Sequence, residues 1–236
     1  MGSRFARDNR TQRGFSPLTM TTFFKQLQRS NEQIRRHFIT FERRPTGRYS
    51  EKEFSQFDAY ALLVHAEFEA YFEACTNEAV DIAEKRLMKN SYNRIIYSLG
   101  SFYVREAQEG QSIKKVPQGD IWTEKGRWAI KQHRDVVKSN NGIKTEDICR
   151  MLIPIGVDVR TIDSVLLVEL NQFGSSRGAT AHSSLKARRG TIIDPFVREA
   201  EIQRLITLLK TFDVLFDKFM KRENPKRRRK KATPAE

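Results

Sequence analysis

The chain has 236 residues, of which 39% are hydrophobic and sixteen are phenylalanine, so it is long enough to bury one sizeable core. It carries a net charge of +14 and only two cysteines, Cys75 and Cys149, which excludes a disulfide-stabilised secreted scaffold. No apolar run is long enough to span a membrane, and the first ten residues lack the apolar centre of a secretory signal. We therefore expect a cytoplasmic protein without membrane contact.

Much of the positive charge lies in two terminal arms. Residues 221–236 contain eight Lys or Arg and two Glu, and residues 1–16 contain four Arg and one Asp, so the arms hold +6 and +3. This composition cannot bury apolar surface, and we expect both arms to be disordered around a single domain at 17–220. The run at 226–231 is either a solubilising tail or an attraction site for nucleic acid.

Apolar residues recur at helical spacing through this domain, and no convincing alternating strand pattern is found. Helices are predicted over 23–41, 51–89, 91–107, 124–139, 145–153 and 160–172. Ser50 and Glu53 have the spacing of a capping box, which places the start of the long second helix. The stretch 108–123, with two glycines and a proline, reads as a long loop.

The sequence after residue 172 predicts a helix break and a restart. Gly174 ends the preceding helix, and Ser175 or Ser176 then caps a new helix that carries Arg177 in its first turn. Asp194, followed by a proline, caps a final helix. The expected fold is therefore all-α, a bundle with long antiparallel helices and short extra helices.

Arg177 and His182 flank four residues in the sequence Arg-Gly-Ala-Thr-Ala-His. The guanidinium is a permanent, forked charge that suits phosphate oxygens. The imidazole exchanges a proton readily near neutral pH. Together they can bind and cleave an RNA phosphodiester without a metal or another cofactor, and no His, Cys, Asp and Glu cluster in the sequence has metal-ligand spacing.

Spacing alone is unspecific, because Arg127 and His133 form a second match with five residues between them. That pair lies on a predicted amphipathic helix whose apolar residues supply core contacts, and we interpret it as structural. The surroundings of Arg177 and His182 are different.

The order of segments around Arg177 and His182 resembles that of HEPN domains, specifically the RiboL-PSP-type branch. That superfamily places an arginine and a histidine, four to six residues apart, near the start of its penultimate core helix. The other segments that carry the resemblance, which spans about 50–220, are Leu62-Leu-Val-His-Ala-Glu-Phe-Glu-Ala-Tyr-Phe-Glu73, Asn140-Asn-Gly-Ile143 and Leu152-Ile-Pro-Ile-Gly-Val-Asp158.

The resemblance implies a helical domain that forms a homodimer, in which Arg–His pairs from both protomers line one cleft. It also implies metal-independent RNA cleavage that leaves a 2′,3′-cyclic phosphate and a 5′-hydroxyl. Domains of this kind act as toxins, as defence effectors or in RNA processing, and an antitoxin or another protein is a candidate partner. Gly174, Gly178 and Ala181 would let a second protomer approach, or they simply pack two helices.

In this mechanism His182 moves protons and Arg177 stabilises charge on the phosphate oxygens. Candidate RNA contacts follow on the same segment; they are Thr180, Ser183, Lys186, Arg188 and Arg189. The two hydroxyls otherwise have structural roles, and the basic residues otherwise form a solvated charge run. His65 is expected to be structural. Glu67, Glu69 and Glu73 are candidates for polar support of the site, but they are expected to face solvent.

Two alternatives compete with a nuclease. Many active members of the superfamily have a polar residue directly after the arginine, whereas this chain has Gly178, which favours a non-catalytic HEPN module that binds RNA or a protein. The basic arms are also compatible with a DNA-associated scaffold, whose DNA affinity would be lost on deletion of 221–236.

Overall fold

The structure, a computed structural model, describes residues 20–44, 46–108, 121–182 and 194–224, without the side chains of 104–108, 121–122 and 177–182. Within these ranges the chain forms seven α-helices and one 3-10 turn, with no strand, which confirms the all-α prediction. The elements are α1 Thr22–Phe38, α2 Glu51–Leu87, α3 Arg94–Gln108, α4 Ile121–Lys138, α5 Thr145–Leu152, the 3-10 turn Val159–Thr161, α6 Ser164–His182 and α7 Pro195–Glu223.

Two helix starts predicted from the sequence are confirmed by their hydrogen bonds. The Ser50 hydroxyl accepts from the Glu53 backbone N–H at 3.3 Å, and the Glu53 carboxylate accepts from the Ser50 N–H at 2.7 Å. This backbone bond is the main reason that the pKa of Glu53 lies below its usual range, and an ion pair with Arg44 adds to it. At the start of α7, Asp194 accepts from the Phe196 N–H at 2.8 Å.

The central helix of the domain is α2, which contacts each of the other six α-helices. Its buried residues form a broad stripe along the whole length of the helix, including Tyr60, Phe68 and Phe72. Because the other helices pack against this stripe, α2 determines where they lie.

Helices α1 and α4 run antiparallel to α2: on α1, Phe24 contacts Tyr71, and the later Asn31 contacts the earlier Tyr60. Along α4, Gly126 packs on Leu87, and further on Asn140, just past the helix, bonds to Glu73, earlier in α2. The two longest helices, α2 and α7, run in the same direction. Asp194 at the start of α7 lies beside the loop before α2, and further along both helices Phe212 packs on Phe72, with 5.2 Å between ring centroids.

Residues 1–16 and 225–236 lie outside the described residues. The last helix reaches Glu223, so the first residues of the segment expected to be a disordered tail are helical. Glu223 accepts a hydrogen bond from the backbone N–H of Arg94 at 3.2 Å, which explains why the helix continues to this point. None of the described helices is both long and apolar enough to cross a membrane.

His133 is buried between α3 and α4, in agreement with a structural role. Its Nδ1 lies 2.8 Å from the hydroxyl of Tyr103. Burial lowers the pKa of His133 to about 4, partly opposed by a backbone hydrogen bond involving Met151. The folded protein therefore holds this imidazole neutral at physiological pH.

Acidification should destabilise the protein through His133. The unfolded imidazole, with a pKa of about 6.5, takes up a proton below that pH, whereas the folded one resists until about pH 4. The stabilisation is complete above pH 6.5 and decreases as the pH falls to 4, by roughly 3 kcal/mol at 1.36 kcal/mol per pKa unit. Urea unfolding over this range should give a flatter pH dependence for His133→Asn than for the wild type. If the free energy of unfolding depends on pH equally in His133→Asn and in the wild type, His133 does not cause the loss of stability. His37→Asn, which changes an exposed histidine in α1, is the control.

Candidate functional site

Helix α6 is continuous from Ser164 to His182, so the predicted break at Gly174 and the new helix capped by Ser175 or Ser176 are wrong. The Ser176 hydroxyl donates to the Phe173 carbonyl at 2.7 Å, a bond within the helix rather than a cap. A single helical glycine costs only about 1 kcal/mol relative to alanine, which tertiary packing readily offsets.

Gly174 lies where α6 approaches α2 and the segment before α5. A Cβ atom at this position would lie 3.3 Å from Cγ of Lys144, 3.4 Å from Cγ1 of Ile143 and 3.8 Å from Nε2 of His65. The glycine therefore serves close packing within one protomer. The expectation that it leaves room for a second protomer has no support at this residue.

A large side chain at Gly174 should separate α6 from its neighbours. Gly174→Leu is expected to lower the free energy of unfolding by about 1–3 kcal/mol through overpacking. Gly174→Ala should stay within about 1 kcal/mol of the wild type, because its gain in helix propensity offsets a contact that the flexible Lys144 can relieve. Urea denaturation measures both, and a Leu variant as stable as the Ala variant would contradict this packing role.

The structure places Arg177 and His182 in the last turns described for α6, and not at the start of a helix. Thr180 lies between them on the same helix. Their side chains, and the whole of Ser183, Lys186, Arg188 and Arg189, lie outside the described residues.

The helical register relates the two positions to the core. At about 100° per residue, position 177 lies within about 40° of the face occupied by the buried residues Leu166, Leu170 and Phe173. Position 182 lies about 180° from Phe173 around the helix axis. Positions 177 and 182 therefore lie about 140° apart around the axis of α6.

The neighbouring part of α2 contains a polar row with one residue per helical turn: His65, Glu69 and Glu73. Nδ1 of His65 lies 3.5 Å from Oε1 of Glu69, and only 2% and 14% of the two side chains are exposed. The imidazole packs against the ring of Phe173 on α6, at 5.9 Å between centroids. Glu69 is thus mostly buried, which corrects its predicted position facing solvent.

Asn140 joins the end of α4 to this row. Its Nδ2 donates to Oε1 of Glu73 at 3.0 Å and to the Gly142 carbonyl at 3.2 Å. Its Oδ1 is buried and has no hydrogen-bond partner among the described residues. The sequence marked Asn140 as the end of a helix and as part of the segment 140–143 that carries the resemblance. Its contact with Glu73 could not be foreseen because 67 residues separate the two.

Two of the three segments that accompany the motif therefore meet α6: residues 62–73 through His65, and residues 140–143 through Ile143. The third, residues 152–158, contacts α3: Gly156, with a φ of +88°, lies beside Ser98. Among the described residues no group of three or more His, Cys, Asp or Glu side chains could hold a metal ion.

Comparison of the chain with protein-family models, with curated proteins and with solved structures finds no match.

Proposed function

We propose that the chain is a metal-independent endoribonuclease of the HEPN type, similar to the RiboL-PSP branch, with Arg177 and His182 as its catalytic residues. The observation that supports this best is the packing of α6, which carries Arg177 and His182 in its last described turns and not in its first turn as the superfamily pattern has it. Phe173 and Gly174 fix α6 against the polar row of α2 one turn before Arg177. A nuclease needs its cation and its acid–base group on a rigid element, and α6 provides one.

In the proposed reaction the ribose 2′-oxygen attacks the adjacent phosphorus, and the bond from phosphorus to the 5′-oxygen breaks. The 2′-hydroxyl gives up its proton and the departing 5′-oxygen gains one, which leaves a 2′,3′-cyclic phosphate and a 5′-hydroxyl. His182 carries one of these protons, and Arg177 stabilises the charge on the non-bridging oxygens. RNA contacts come from Thr180, Ser183 and the basic residues of 186–189.

A homodimer fits the register of α6. One protomer presents positions 177 and 182 on faces about 140° apart, whereas two protomers around a two-fold axis supply four groups to one phosphate. Gly178 and Ala181 are the small residues left to permit that approach, since Gly174 packs within the protomer. In a cytoplasmic setting the enzyme would act as a toxin, as a defence effector or in RNA processing, with an antitoxin or another protein as partner.

The test is incubation of the purified protein with RNA in excess EDTA. We expect cleavage to persist, since no step uses a metal, and to yield ends that carry a 2′,3′-cyclic phosphate and a 5′-hydroxyl. His182→Ala should abolish it, while His37→Ala, which changes an exposed histidine in α1, should not. Cleavage of equal strength in His182→Ala would identify a contaminating nuclease and exclude this site.

The alternative is a non-catalytic HEPN module that binds RNA or a protein, favoured by Gly178 directly after Arg177. Such a module would bind RNA with a steep salt dependence, because Lys and Arg side chains displace counterions from the phosphates. RNA binding without cleavage of any substrate would support this function over the nuclease.

A further inference from the structure

An open groove of about 270 Å³ lies between the end of α2 and the middle of α4, away from α6. Its apolar part consists of Leu87, Met88 and Ile130. Leu87 and Ile130 are buried, whereas 69% of Met88 is exposed, so a thioether side chain borders the groove at its open side. Flexible, polarizable methionine side chains adapt to the shape of an apolar group that binds beside them.

Two contacts join the helices that form the groove. Gly126 on α4 faces Leu87, and a Cβ atom at 126 would lie only 3.0 Å from a methyl group of Leu87. Two turns further along α4, the guanidinium of Arg134 bridges α4 to α2 by donating to Asp81 at 2.8 Å and to Glu84 at 2.6 Å. The groove is thus preformed between two fixed helices.

Charge around the groove is unbalanced. Its lining contains three cations, Arg127, Lys131 and Arg134, against one carboxylate, Glu84. Arg134 is neutralised by its two carboxylates, but no ion pair is found for Arg127 or Lys131 in the described part of the chain. Both are exposed, and they stand one turn apart on α4, a spacing at which like charges repel by a few tenths of a kcal/mol.

We propose that this groove is a docking site for an acidic segment of a partner protein that contains an apolar anchor residue. The apolar anchor would lie mainly against the exposed Met88, over the edges of Leu87 and Ile130 that line the groove, and carboxylates on either side would pair with Arg127 and Lys131. The groove favours a peptide over RNA, since its lining among the described residues includes no aromatic side chain on which a base could stack. The proposal is independent of RNA cleavage and concerns a different face of the domain.

Fluorescence anisotropy tests the docking site with a short labelled peptide in which one leucine is flanked by glutamates. The double variant R127E/K131E should weaken binding about tenfold or more, since two favourable charge pairs become repulsive. K210E/K218E makes the same change in net charge on exposed lysines of α7 and should bind like the wild type. Met88→Ser, or a peptide with asparagine in place of leucine, should also weaken binding.

Equal losses in the two double variants would show attraction by net charge alone and would overturn the proposal, as would no binding by the wild type. If R127E/K131E weakens the binding of an RNA oligomer more than it weakens the binding of the peptide, the groove is a nucleic-acid surface instead. Self-association of the protein that R127E/K131E abolishes would identify a second copy as the occupant. Each variant must first show a cooperative thermal unfolding transition, followed by circular dichroism. If R127E/K131E does not fold, R127A/K131A is used in its place.

Discussion

Replacing Asp213 with alanine is expected to lower the free energy of unfolding by about 3–5 kcal/mol, because it breaks a buried hydrogen-bond network with three donors. The Asp213 side chain is fully buried in α7. One carboxylate oxygen accepts from the Thr21 backbone N–H at 2.8 Å, and the other accepts from the Thr21 hydroxyl at 2.5 Å and the Tyr71 hydroxyl at 3.0 Å. Three helices meet at this one carboxylate, since Thr21 caps α1 and Tyr71 lies on α2.

The size of the effect follows from what alanine would leave behind. A buried hydrogen-bond donor without a partner costs about 1–3 kcal/mol, and Asp213→Ala removes the acceptor from three donors at once. Burial is the main reason that the pKa of Tyr71 lies well above its usual range, and neighbouring Cys75 and Asp213 add to it, so the tyrosine remains a neutral donor.

Urea denaturation with constant m-values measures the loss. Tyr71→Phe, which removes one of the three donors, should cost only about 1 kcal/mol. Asp135→Ala removes an exposed carboxylate on α4 and should change the free energy of unfolding by less than about 0.5 kcal/mol. An Asp213→Ala variant that is no less stable than Asp135→Ala would show that the hydrogen bonds of Asp213 make no net contribution to the free energy of unfolding.

Helix starts could be predicted from the sequence because their signals are local. The Ser50–Glu53 capping box and the Asp194 cap each satisfy backbone donors within three residues, and both form as expected. The prediction failed at Gly174, where a local rule indicates a helix end. There the contact with Lys144, Ile143 and His65 keeps the helix intact, and no local pattern contains that information.

The surroundings of the candidate site were less predictable for the same reason. The sequence shows that His65 and Glu69 are one turn apart, but not that α6 packs over them and buries Glu69. Likewise the bonds from Thr21 to Asp213 join residues 192 positions apart, and only the completed fold brings them together. Such long-range polar contacts depend on tertiary structure, which helical periodicity does not encode.

The largest effect on the proposed reaction is expected at Arg177. Arg177→Ala should slow RNA cleavage by about 100- to 1000-fold, comparable to the loss of one donor that stabilises a developing oxyanion. Arg177→Lys keeps the charge but loses the planar fork that can contact two phosphate oxygens, so it should recover only part of the rate. Single-turnover cleavage in EDTA measures the chemical step, and Arg43→Ala, an exposed arginine before α2, is the matched control.

The double variant Arg177→Ala/His182→Ala separates a joint catalytic role from two independent ones. If both residues act on the same phosphate, removal of the second should add little to the loss caused by the first, because catalytic groups that work as a unit are not additive. Equal binding of RNA by Arg177→Ala and the wild type would place the arginine's contribution in the transition state rather than in substrate affinity. Full activity in Arg177→Ala, with cleavage still dependent on His182, would mean that another cation stabilises the phosphate.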